Sequence, residues 1–261
     1  MTKTKKGMWA LVTGASSGMG ADFARLLAGR GYNLVITARR GAELDRLKTE
    51  IAATTPGIEI LTVEGNLADK GFRARLLEAT AGLDVETLIN NAGVGLYGTF
   101  DGTDPEREES MLDLDINALV HLTRSFSARM RARGEGYILE TASIAAFQPC
   151  PLYASYGAAK AFVLEYGIAT RVELAGTGVN VTVLCPGVTA TSFFNAAEQK
   201  NLSAFQRMSM MESERVSRLA LKALFARRAI CVPGFLNRAN AFMTRFFPIP
   251  VAARIAGILM R

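Results

Sequence analysis

The chain reads as an α/β protein of three layers, a doubly wound parallel sheet covered by helices on both faces. Three observations predict it. Seven short apolar runs alternate with six longer amphipathic stretches, and the first run feeds straight into a glycine-rich turn. No linker, repeat or low-complexity tract divides the chain. At 261 residues with 49% hydrophobic content it can bury a sizeable core, so residues 1–261 are expected to form a single domain.

The strands are "MWALVT" (8–13), "YNLVITA" (32–38), "IEILTVE" (58–64), "ETLINN" (86–91), "GYILETA" (136–142), "VNVTVLC" (179–185) and "AICVP" (229–233). They are near-continuous aliphatic runs, as expected of parallel strands buried on both faces. Helices are expected near 18–30, 41–54, 69–82, 106–132, 155–175 and 213–226. In "DPEREES", Asp104 to Ser110, acids gather where a helix starts, a favourable placement for its positive end. Periodicity fails at 142–152, at 186–212 and after Pro233. The first two segments follow strand ends, where ligands bind in open α/β sheets, and 186–212 is expected to be the substrate loop.

The formal charge of +6 is scattered, with only "MTKTKK" and short pairs such as Arg227-Arg228 clustered. Scattered basic residues read as a solvated surface, with an anionic ligand or a membrane surface as the second reading, and no nucleic-acid partner is expected. Cys150, Cys185 and Cys231 lack metal-ligand spacing and are odd in number, so neither a metal site nor a complete disulfide framework is expected. A reducing cytoplasm fits them best. "MWALV" is too short for a membrane span and runs directly into "TGASSG", which also argues against a signal peptide.

In "TGASSGMG", Gly14, Gly18 and Gly20 frame Ser16, Ser17 and Met19 at the start of a helix. Glycines there allow a tight turn, and the free N–H groups of the helix end favour a pyrophosphate. The second strand ends in "ITARR", with no carboxylate before Glu43. Arg39 and Arg40 can hold a 2′-phosphate, which favours NADP(H) over NAD(H), the other reading being a solvated basic turn. Tyr156 and Lys160, four apart, share one helix face. An ammonium beside the phenol is expected to lower its pKa, making it a usable proton donor and acceptor. Ser143, at a strand's carboxyl end, offers a hydroxyl for a substrate oxygen.

These residues resemble the single-domain branch of the short-chain dehydrogenase/reductases. The resemblance rests on "TGASSGMG", "NNAG" (Asn90 to Gly93), Asn117, Ser143, Tyr156-x-x-x-Lys160 and Pro186-Gly187, in the expected order over residues 8 to about 190. It implies a Rossmann-type sheet, with Tyr156 as general acid, Ser143 orienting the carbonyl, Lys160 on the nicotinamide ribose and Asn117 holding a water of the proton relay. It also implies cofactor contacts from Asn91, Ala92 and Gly93, and from Pro186, Gly187, Val188, Thr189 and Thr191. Asn66, followed by Leu67, stands where the family often has an aspartate near the adenine. Asp69, the neighbouring alternative, looks more like a helix cap. A homodimer or homotetramer packed through 106–132 and 155–175 is implied as well.

Tyr153 fills no catalytic position and reads as pocket wall or packing, with packing slightly favoured. His121 reads as packed or surface, and Cys150 as a pocket neighbour without nucleophilic character. The segment 234–261 mixes large apolar residues with Arg238, Arg245, Arg254 and Arg261. Its preferred reading is a covered lid or subunit contact, and its sharper one a weak peripheral membrane contact that guides a lipid-like substrate.

The expected activity is NADPH-dependent reduction of a hydrophobic carbonyl, of which a 3-oxoacyl derivative is one example. Phe193, Phe194, Leu202, Phe205, Met208, Met210 and Met211 supply the apolar loop residues. The alternatives are an NADP-dependent dehydrogenase oxidising a small secondary alcohol or hydroxy acid, with Arg207 or Arg215 on its carboxylate, and a nucleotide-sensing module without catalysis.

Overall fold

The structure, a computed structural model, describes residues 7–191, 193, 197, 199, 201 and 203–259. Every expected strand forms: β1 (Trp9–Thr13), β2 (Asn33–Ala38), β3 (Ile60–Glu64), β4 (Val85–Asn90), β5 (Gly136–Thr141) and β6 (Val179–Leu184). The short β7 (Thr189–Ala190) and β8 (Met211–Glu212) pair with each other, and β9 (Ile230–Cys231) closes the main sheet. That sheet is parallel throughout, in the order β3-β2-β1-β4-β5-β6-β9. The order reverses between β1 and β4, which opens a crevice at their carboxyl ends.

The pleat divides the core. Ala10 and Val12 of β1 face one side, where they join Phe23 and Leu27 of α1 (Gly18–Ala28) and Leu44 of α2 (Gly41–Thr54). Leu11 faces the other, with Phe72 of α3 (Lys70–Ala79) and with Leu122 and Phe126 of α5 (Leu119–Arg133). In α6 (Ala154–Glu173), Val163 and Leu164 pack with Val183 of β6. In α8 (Ser213–Phe225), Val216, Leu221 and Leu224 complete the α1 side; between β7 and α8 lies the short α7 (Ala204–Met208).

The helix expected at 106–132 departs from its simple reading. It begins as α4 (Pro105–Leu112), capped by Asp104, whose Oδ1 accepts the Glu106 N–H at 3.0 Å. It then widens into a π-helical turn over Asp113–Ala118 before continuing as α5. A π turn changes the phase of every residue around it, and such turns recur at functional sites. After β9 the chain forms α9 (Phe235–Met243), a 3-10 turn (Thr244–Phe246) and α10 (Ile249–Leu259).

Candidate active site

A cavity of about 650 Å³ lies in the crevice at the carboxyl ends of the strands. Every residue expected at the cofactor lines it except Gly20. Gly14 and Gly18 adopt φ of +66° and +53°, left-handed values that suit glycine. Gly20 instead serves packing: a Cβ there would fall 2.1 Å from the Gly14 carbonyl oxygen, so its role is to let α1 close onto the turn. Arg40 Nη2 donates to Ser16 Oγ (2.9 Å) and Ser17 Oγ (2.8 Å), which sets a guanidinium at the edge of the turn. Arg39 lines the cavity beside it, and both arginines are exposed. Asn66 also lines the wall; Asp69 does not, and its Oδ1 caps α3 by accepting the Gly71 N–H at 2.8 Å.

The "NNAG" stretch is clamped to β1 by Thr13, whose Oγ1 accepts the N–H groups of Asn91 and Ala92, each at 2.9 Å. Asn90 turns the other way. Its Nδ2 donates to Thr123 Oγ1 (2.9 Å) and Glu140 Oε2 (3.2 Å), tying β4 to β5 and α5. Thr123 Oγ1 donates in turn to Glu140 Oε1 at 2.6 Å, and burial pushes this carboxyl up to about 7. Thr141 Oγ1, buried in the cavity wall, has no hydrogen-bond partner among the described residues. A glycine turn with free space above it, two guanidinium groups and an unmatched hydroxyl together suit a nicotinamide dinucleotide.

Tyr156, Ser143 and Lys160 converge at the inner end. Ser143 caps the 3-10 turn Ile144–Phe147, its Oγ accepting the Ala145 N–H at 3.1 Å. Lys160 Nζ donates to the Thr141 carbonyl oxygen (3.2 Å) and lies 5.5 Å from the Tyr156 ring centroid. The expected lowering of the Tyr156 pKa is absent. Burial pushes the phenol up, and the nearby Asp115 carboxylate pushes it further, against a hydrogen bond with Ser143. Lys160, whose ammonium is paired with a carboxylate, does not reverse the rise.

That pairing is the feature sequence reasoning missed. Asp115 Oδ2 sits 2.9 Å from Lys160 Nζ, with both side chains buried, and Asp115 Oδ1 accepts the Val94 N–H at 3.0 Å. Burial raises the Asp115 carboxyl and Lys160 opposes the rise. A Cβ on Gly93 would fall 3.1 Å from both charged groups, so this glycine makes room for the pair. Asn117, expected here, is not brought to the site: it is exposed, and its Nδ2 donates to Asp113 Oδ1 at 2.6 Å. Asp115 falls at helical spacing with the buried Met111, Ala118 and Leu122, whereas Asn117, two residues further on, faces the other way.

Beyond Tyr156 the wall is aromatic and, among the described residues, uncharged. Tyr153 is buried and its ring lies 5.6 Å from that of Tyr156; its Oη donates to Gln199 Oε1 at 2.8 Å. It both packs and lines the cavity. Phe193, 5.4 Å from Tyr156 between centroids, and Cys150 join it, the thiol pushed by burial up to about 11 and so poorly suited to attack. Gln148, Gln206, Asn240 and Ala256 complete this side. The last two come from α9 and α10, and no local pattern announces them. Met208, Met210 and Met211 do not line the cavity, nor do Arg207 and Arg215. Phe194, Leu202 and Arg261 lie outside the described residues, as does the side chain of Phe205. His121 is exposed.

A very-long-chain 3-oxoacyl-CoA reductase of Podospora anserina is 38% identical over 181 residues, covering 68% of this chain and 53% of that protein. The human 17-beta-hydroxysteroid dehydrogenase type 3 is 32% identical, covering 71% and 60%. The chain thus spans little more than half the length of such curated relatives. Among solved structures, a short-chain dehydrogenase from Sphingobium yanoikuyae in complex with NADPH superposes with a TM-score of 0.82 at 28% identity, covering 92% of this chain and 93% of that one. The family profile described as short chain dehydrogenase matches residues 8–203, and with the sheet, the glycine turn and the Tyr156–Lys160 pair in place, the chain belongs to the short-chain dehydrogenase/reductase family of nicotinamide-dependent oxidoreductases.

Proposed function

We propose that the protein is an NADPH-dependent reductase that converts the carbonyl of a hydrophobic substrate, such as a 3-oxoacyl derivative or another lipid-like ketone, to a secondary alcohol. The observation that carries this reading is the wall beyond Tyr156. Among the described residues, the only cations lining the cavity are Arg39, Arg40 and Lys160. The first two stand at the far, cofactor end and the third is paired with Asp115. The substrate end offers rings, alanines and neutral amides, which favour an apolar ketone over a carboxylate-bearing one. Names among the relatives, a 3-oxoacyl-CoA reductase and a hydroxysteroid dehydrogenase, support the same substrate class.

When bound, the reduced nicotinamide supplies a hydride to the carbonyl carbon. Tyr156 Oη gives its proton to the carbonyl oxygen as the C=O π pair moves onto that oxygen. The raised pKa suits this direction, because the phenol keeps a proton to give across the neutral range. Ser143 Oγ holds the same oxygen in place. Lys160, fixed by Asp115 and the Thr141 carbonyl, holds the cofactor ribose and sets a positive charge near the phenolate as it forms. Asp115, rather than Asn117, is the polar side chain of the Asp113–Ala118 turn that meets Lys160. A cytoplasmic homodimer or homotetramer packed through the helices around 106–132 and 155–175 belongs to the same proposal.

Replacing Arg39 and Arg40 together by alanine tests the cofactor assignment. Charge-assisted hydrogen bonds contribute about 1.5–3 kcal/mol each, so KM for NADPH should rise about a hundredfold or more while KM for NADH changes little. Equal losses for the two cofactors would refute it.

A further inference from the structure

The two C-terminal helices are built inside out. In α9 the buried positions are Asn237 and Ala241, and in α10 they are Ala252 and Ala256, small residues one helical turn apart in each case. The large apolar side chains face outward instead. Phe235 is 75% exposed, Ile249 72% and Ile258 74%, and Phe242, Phe246 and Ile255 are exposed with them. A helix that serves only as a cover places its large apolar residues against the body it covers. Scattered exposed apolar residues are ordinary, but this density along one stretch of chain marks an interaction surface.

The charges on that stretch indicate what meets it. Arg238, Arg245 and Arg254 are exposed among the apolar residues, and 233–261 contains no aspartate or glutamate. A second copy docked on this face would bring guanidinium groups toward guanidinium groups, with no acid of the segment to pair them. An anionic bilayer suits both features, since it takes the rings and aliphatic side chains into its headgroup region and the arginines onto its phosphates. Among the described residues, no helix is long and apolar enough to cross a membrane, so the contact is one of lying on the surface. The inner sides of the same helices supply Asn240 and Ala256 to the cavity that holds Tyr156. The surface therefore backs directly onto the cavity wall.

We infer that α9 and α10 form a docking surface for anionic lipid bilayers. The inference does not depend on the substrate or cofactor assigned above, and its test reads binding rather than turnover. The full chain is sedimented with vesicles of equimolar phosphatidylcholine and phosphatidylglycerol, and with phosphatidylcholine alone. Binding is expected to the mixed vesicles only, and to weaken as salt rises. An arginine held near an anionic surface strengthens binding by roughly fivefold, so the triple variant R238E/R245E/R254E should bind at least about a hundredfold more weakly. F242S/F246S, which keeps the charges, should also bind more weakly. Circular dichroism of both variants checks that they fold as the parent does. Unchanged vesicle binding by the folded triple variant, or no binding by the parent, would overturn the inference. So would a dimer in light scattering that the triple or the phenylalanine variant dissociates, because the face would then belong to a second copy.

Discussion

Asp115→Asn separates the site as it is built from the site as its residue order suggests. The substitution keeps the shape and removes the negative charge 2.9 Å from Lys160 Nζ. The ammonium would retain the Thr141 carbonyl as an acceptor but would stay buried without a counter-charge. Breaking a buried ion pair from one side costs about 3–5 kcal/mol. For a chain of this size that lowers Tm by roughly 10 °C. The change also acts on Tyr156, whose pKa the Asp115 carboxylate helps to raise. With the carboxylate gone, the phenol should lose its proton at lower pH, and the alkaline limb of ketone reduction should move to lower pH with it. Thermal melts and a pH profile of kcat/KM read the two effects separately. Asn117→Ala is the counterpart: an exposed side chain away from the cavity should change stability by less than about 0.5 kcal/mol and leave the profile where it is. If D115N melts with the parent and keeps its alkaline limb while N117A loses turnover, the assignment of Asp115 is wrong.

Three further outcomes are expected. Tyr156→Phe should abolish reduction with cofactor binding retained, whereas Tyr153→Phe, which loses only the bond to Gln199, should keep most of the turnover; the reverse result in steady-state assays would overturn the assignment of the acid. Gly20→Ala should destabilise the fold by about 3 kcal/mol, seen in urea melts, because its methyl would meet the Gly14 carbonyl at 2.1 Å; a parent-like midpoint would contradict the packing role. Glu140 titrates near 7 in the folded chain against an ordinary 4.5, so its stabilising contribution is full below the unfolded value and is lost as pH rises through 7. Between pH 5 and 8 the parent should lose at most about 3 kcal/mol that Glu140→Gln does not lose, and parallel melts that fail to diverge would exclude this.

What could be read from the sequence was local. The strands were legible because each is a short aliphatic run bounded by polar or glycine-rich sequence, and α2 falls on 41–54 as expected. The glycine turn and the Tyr156–Lys160 pair were legible because the relevant atoms lie within one turn of their neighbours along the chain. Asp115 was not, because its place on the buried face with Met111, Ala118 and Leu122 carries no sign that Lys160, 45 residues further along the chain, meets it there. The direction of the Tyr156 shift was missed for the same reason, since the group that neutralises Lys160 was not known to be there. Asn240 and Ala256 reach the cavity only because α9 and α10 fold back over it, a tertiary event without a local signature. The basic, apolar composition of the tail was visible, but which residues face outward required the packed helices.

Reduction of a hydrophobic ketone at Tyr156 at the expense of NADPH is the proposed reaction. Its most direct test is cofactor oxidation, with NADPH and NADH in parallel, across carbonyl compounds from small keto acids to long-chain 3-oxoacyl thioesters. NADPH is expected to be preferred, and kcat/KM to rise with apolar chain length. Turnover confined to small charged keto acids, or equal use of NADH, would contradict it.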